Sequence, residues 1–139
     1  MDFLFFSAEA TTPSGYLLME LIKPVKRMFY EHFFLKEYTP NLDSVAIIFV
    51  CFLRSPGKDD WFKDRRYVSR KNRYADIRLN IDYDMFIQSN PEERLKMMWE
   101  IIVAAIEYIA KKDPKFKKNE LLEDLKFCFI GCYSERSHI

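Results

Sequence analysis

Apolar and polar residues alternate without a break from position 74 to position 81. One face of this extended segment carries Ala75, Ile77, Leu79 and Ile81; the other carries Tyr74, Asp76, Arg78 and Asn80. Beyond Asn90 the period changes. Leu95, Met98, Trp99, Ile102, Ile106 and Ile109 recur at helical spacing. Asn90-Pro91-Glu92-Glu93 opens that helix with a strong cap residue, a proline suited to the first helical position and a carboxylate able to reach back to the cap amide. Glu92 and Lys96, and Glu107 and Lys111, stand four apart in the favourable order. Lys111-Lys112-Asp113-Pro114 closes the helix, with cations toward the negative end of the dipole and a proline that stops propagation. Between strand and helix, Asp82 is placed to cap a short turn over residues 83–86.

Weaker patterns fill in the rest. Residues 3–8 read as a short buried strand. Thr12-Pro13-Ser14 opens a helix with Thr12 as its cap, and Leu18, Leu21, Ile22, Val25, Phe29 and Phe33 form its inner stripe. Pro24 lies inside that pattern and predicts either a kink or a second helix starting there. Tyr38-Thr39-Pro40-Asn41 breaks the chain. The nine apolar residues 45–53 predict a central strand covered on both faces. A turn follows at 55–60, and 62–70 pairs with 74–81 as a hairpin around Lys71-Asn72, where Asn tolerates positive φ. Asn119 caps a last helix whose inner stripe is Leu121, Leu122, Leu125, Cys128, Phe129 and Cys132, with Gly131 as its terminator.

The order is therefore β-α-β-β-β-α-α. It predicts a single α+β domain over residues 1–139, with helices packed on a mostly antiparallel sheet. The expected core includes Ile48, Val50, Ile77, Leu79, Trp99, Ile102, Ile106, Leu125 and Phe129.

Composition narrows the function more by exclusion than by assignment. The 139 residues are 17% aromatic, too apolar for a disordered chain despite 31% charged residues. Three glycines leave no glycine-rich phosphate loop, and a net charge of +1 gives no global attraction to nucleic acid or acidic membranes. Three cysteines, an odd number, with no basic leader before the first apolar run, predict a reducing, cytoplasmic compartment. No apolar run reaches the length of a membrane span. Charge is uneven along the chain. Residues 54–78 hold nine basic and four acidic side chains, a net of +5, whereas residues 79–109 hold two basic and six acidic, a net of −4.

Several clusters resemble sites but have simpler readings. Cys128, Cys132 and His138 form a loose, three-ligand set, and both thiols fall on an apolar stripe, so no metal is expected. His32 lies among Phe29, Tyr30, Phe33 and Phe34, the environment of a packed residue rather than a base. Asp82, Asp84, Glu92 and Glu93 could hold a divalent metal, but Glu92 and Glu93 have sufficient work at a helix N-terminus and Asp82 as a cap. No nucleophile motif, catalytic constellation or cofactor site emerges, so the chain is expected not to be an enzyme. The strip Trp61, Phe62, Lys63, Arg65, Arg66, Tyr67, Arg70, Lys71, Arg73 and Tyr74 interleaves bases and aromatics. It supports a second reading, a small nucleic-acid-binding domain using residues 61–74.

The string from Arg73 through Ile81-Asp82-Tyr83-Asp84-Met85-Phe86 resembles an element of bacterial polymorphic-toxin immunity proteins. In these an alternating strand runs into an (I/L)-D-Y-(D/E)-x-F segment and then a long helix. The group it resembles is immunity family forty-four. The N-terminal Phe6-Ser7-Ala8-Glu9-Ala10 and the closing Leu121-Leu122-Glu123-Asp124-Leu125 fit the same pattern. The resemblance implies a cytosolic antitoxin that binds a cognate toxin domain stoichiometrically, with no chemistry and no cofactor of its own. Two surfaces are candidates for that contact. One is an acidic face with Asp82, Asp84, Glu92, Glu93 and Glu100; the other is the loop and hairpin with Asp59, Asp60, Trp61, Arg65 and Arg66. The pattern leaves the oligomeric state open.

Overall fold

The computed structural model describes residues 4–8, 13–29, 31, 45–54, 66–69 and 71–126. Its elements are β1 (Leu4–Ala8), α1 (Pro13–Phe29), β2 (Ile47–Arg54), β3 (Arg66–Ser69), β4 (Tyr74–Ile81), α2 (Tyr83–Gln88) and α3 (Pro91–Lys112). A further helix, α4, spans residues 118–126. The strands form one sheet in the order β1-β2-β4-β3. β1 and β4 both pair parallel with β2, and only β3, at the edge, runs antiparallel, against β4.

This corrects the expectation of a mostly antiparallel sheet. The domain is α+β, but its sheet is built on three parallel strands. The reason lies in the connections. α1 carries the chain from the end of β1 back to the start of β2, as a parallel pair requires. β4 then inserts between β2 and β3, so the β3–β4 hairpin joins the parallel set through its second strand. The hairpin register, with Ser69 opposite Tyr74 and Arg66 opposite Ile77, is now fixed. The residue with positive φ is Arg73, at 57°, rather than Asn72. Its carbonyl accepts from the amides of Ala46 and Ile47 at 2.8 and 3.2 Å, tying the turn to the start of β2.

One face of the sheet is closed. Phe6, Ile48, Val50, Phe52, Ala75, Ile77, Leu79 and Ile81 point into a core shared with Leu18, Ile22 and Val25 of α1, the inner face of α3, and Leu121 and Leu125 of α4. α1 runs as one helix through Pro24, which is exposed, so the second-helix alternative falls. On α3 the buried residues are Leu95, Met98, Ile101, Ile102, Ala105, Ile106 and Ile109. The stripe is thus centred on Met98, Ile102 and Ile109 and extends on one side to Ala105 and Ile101, while Trp99 is half-buried at its other flank. Phe129, Cys128 and Cys132 lie outside the described residues.

The start of α3 follows its sequence signals, whereas the expected cap Thr12 and terminator Gly131 lie outside the described residues. Asn90 Oδ1 accepts from the Glu93 amide at 2.8 Å, and Asn90 Nδ2 donates to Glu93 Oε1 at 2.8 Å, a side-chain version of the capping box. Glu107 pairs with Lys118 of α4 at 2.9 Å instead of Lys111 one turn on. α4 starts before Asn119, with the Lys117 carbonyl accepting its first bond from Leu121 at 3.4 Å.

Candidate functional site

The segment Ile81-Asp82-Tyr83-Asp84-Met85-Phe86 serves as scaffold. Ile81 ends β4 as a buried residue. Asp82 caps α2, its Oδ1 accepting from the Met85 amide at 3.1 Å. Tyr83 is fully buried, and its hydroxyl donates to the backbone carbonyl of Phe52 in β2. Phe86 is buried one turn later, and Asp84 stays exposed in the first turn, where its charge favours the helix dipole. Two apolar anchors, one buried hydroxyl bond and one cap therefore lock α2 to the sheet. Ser89 closes it, donating from Oγ to the Met85 carbonyl at 2.7 Å, and Arg94 of α3 donates to the Ser89 carbonyl.

The acidic candidates divide by this geometry. Asp82 is half-buried and committed to its cap, and Glu93 is exposed but holds Asn90. Asp84, Glu92 and Glu100 are exposed, with Lys96 exposed among them. Asp59, Asp60, Trp61 and Arg65 lie outside the described residues, and Arg66 is placed only by its backbone in β3. In the basic strip, Lys71, Asn72 and Arg73 form an exposed turn and Tyr74 is half-buried.

The open face of the sheet is a surface the periodicity did not predict. Residues 45–53 read as covered on both sides, yet Phe49 is 42% and Ile47 36% exposed, with Phe5 of β1 at 38%. Phe5 stacks on Phe49 with ring centroids 5.5 Å apart, and Phe49 meets the edge of Tyr74 at 6.3 Å. Beside them Arg78 pairs with Asp76 at 3.4 Å. A ring cluster thus spans three strands next to a charge pair. Only the register reveals it, because an apolar run has no period from which to read a solvent side.

Chemistry is sparse on this scaffold. A hollow of about 540 Å³ lies between the end of α3 and α4, lined among others by Glu107, Lys111, Phe116, Lys117, Lys118 and Glu120. No histidine or thiol lines it. Among the described residues no three His, Cys, Asp or Glu side chains gather into a set able to hold a metal ion. Cys51 is a free, half-buried thiol on the open sheet face. His32, Cys128, Cys132 and His138 lie outside the described residues. No described helix is long and apolar enough to cross a membrane.

No curated protein and no solved structure matches the chain. A family model, Immunity protein 44, matches residues 1–131. That span runs from β1 through α4 and contains the Asp82-Tyr83 lock and the sheet it braces. The chain belongs to the Immunity protein 44 family.

Proposed function

We propose that this protein is a cytoplasmic antitoxin of a bacterial polymorphic-toxin system, neutralising its cognate toxin by binding it stoichiometrically and without catalysis. The observation that carries the reading is the family match over residues 1–131. The architecture is in keeping with it: the most distinctive motif is spent on bracing a helix against a sheet, which suits a rigid platform that presents a surface. Rigid partners lose little conformational entropy on association.

The toxin-facing surface in this proposal is the helical side. Asp84, Glu92, Glu93 and Glu100 are exposed there, against Lys96 as the exposed cation of residues 82–100. Such a surface complements a basic toxin domain, for instance one that handles nucleic acid, and accelerates encounter. The test is co-expression with the C-terminal domain of the large open reading frame beside this gene. Survival should require this protein and weaken with Glu100→Lys while folding is intact. Glu93→Lys is the poorer probe, because it also breaks the Asn90 cap. Undiminished killing in the presence of well-folded protein overturns the proposal for that toxin.

A further inference from the structure

The open face of the sheet matches itself. Register places the outward residues of β1, β2 and β4 in four rows. The first holds Ile47 and Tyr74, the second Phe5, Phe49 and Asp76, the third Ser7, Cys51 and Arg78, and the fourth Leu53 and Asn80. A two-fold axis lying in the plane of contact, crossing the strands at the level of Phe6, Val50 and Ile77, exchanges the second row with the third and the first with the fourth. Phe5 then covers Ser7 of the second copy and Phe49 covers its Cys51, a large ring over a small side chain in each case. Ile47 meets Leu53, and Tyr74 meets Asn80. Asp76 faces Arg78, and Arg78 faces Asp76. The alternative axis, along the strands, stacks Phe49 on Phe49 and sets Phe5 against Asp76, which matches neither shape nor charge.

We propose that this face is the interface of a homodimer, formed by a second copy of the chain packed sheet to sheet. A C2 contact demands a self-complementary patch, and the second and third rows supply one in size and in charge. Sheets that pack face to face cross at about 30°. That tilt moves the inner rows, about 3.4 Å from the axis, sideways by about 2 Å and shifts a neighbouring strand lengthwise by about 2–3 Å, so the matches of the second and third rows survive, whereas the outer rows slide by about one strand spacing. The four strands, of five, eight, four and eight residues, cover on the order of 400 Å², hence about 800 Å² over both copies, the size of a weak, reversible contact. Parallel strands are also normally covered on both faces, and none of the described helices covers this one. This inference does not depend on the antitoxin reading, since it is measured without toxin.

The experiment is sedimentation equilibrium of the purified protein up to about 0.5 mM, where a contact of this size is populated. The wild type should sediment as a dimer in reversible exchange with monomer. Arg78→Asp gathers four carboxylates at the contact, and Asp76→Arg gathers four guanidinium groups. Each variant, with its fold checked by circular dichroism, should dimerise about tenfold more weakly or worse. Mixing the two should restore association as a heterodimer, which a change within one chain cannot produce. Phe49→Asp should leave a folded monomer. A wild type that stays monomeric throughout overturns the proposal, as do charge variants that dimerise like wild type or a mixture that fails to associate. If a monomeric wild type loses toxin binding on Phe49→Asp, the face belongs to the toxin instead, and the dimer is refuted while the antitoxin reading stands.

Discussion

Tyr83 shows how much one hydroxyl can decide. Its ring fills the space between α2 and the sheet, and its O–H satisfies the Phe52 carbonyl where no water reaches. Tyr83→Phe keeps the ring and removes the donor, leaving a buried carbonyl short of a partner. The expected cost is about 1–3 kcal/mol in a denaturant melt, and no change would show that the carbonyl is satisfied elsewhere. Arg73 sets the hairpin turn from the left-handed region, at φ 57°. A β-branched residue is a genuine outlier there, whereas glycine is at ease. Arg73→Gly should therefore exceed Arg73→Val in stability by about 1–2 kcal/mol, and equal values would contradict the assigned turn. The sequence placed positive φ near Asn72 because Asn tolerates it best. The structure chose Arg73, whose carbonyl must turn toward the amides of Ala46 and Ile47.

At the scale of elements, the strands and the caps at Asp82 and Asn90 were legible, and pairing direction was not. Alternation over residues 74–81 marks a strand with one wet face, a pattern habitual in antiparallel sheets. Here it arises because β4 sits in a parallel sheet whose outer face is open. The direction of pairing was written in the connection instead: a helix of 17 residues between β1 and β2 is a crossover. α3 shows a subtler limit. The sequence reading put Trp99 on the inner stripe and left out Ile101 and Ala105, but the buried arc is turned toward Ile101 and Ala105 and leaves Trp99 at its flank, because an apolar stretch as dense as residues 101–106 does not fix the helix phase. Ile101→Ala should cost about 2–5 kcal/mol through transfer and cavity terms. Val103→Ala, at a half-buried position, should cost well under that. Thermal melts in which the two costs are equal would show the helix rotated from its assigned phase.

For the whole molecule, the family was visible in the sequence because its motif is made of residues with fixed structural work: Asp82 as cap, Tyr83 and Phe86 as anchors. The candidate contact surfaces were less visible. The acidic stretch was legible as charge, yet two of its five named carboxylates are engaged in capping, which sequence spacing alone does not reveal. The open sheet face was missed, since strand register determines which apolar residues emerge together. The molecule thus offers two separate surfaces, a carboxylate-bearing helical side and an aromatic sheet face, on opposite sides of one core. A dimer through the second leaves the first exposed in both copies. On this account Glu100→Lys weakens toxin binding without affecting self-association, and Phe49→Asp does the reverse; sedimentation and binding assays on the two variants check both halves.

The central claim is neutralisation by stoichiometric binding, and the most direct measurement is a titration of toxin activity at a toxin concentration far above the dissociation constant. Activity should fall linearly as protein is added and vanish at one protomer per toxin domain, with a complex of that composition recovered by gel filtration. Neutralisation complete at a small fraction of an equivalent would mean that the protein turns over and acts as a catalyst. No loss of activity at several equivalents of folded protein would mean that it does not bind this toxin. Either result contradicts the account.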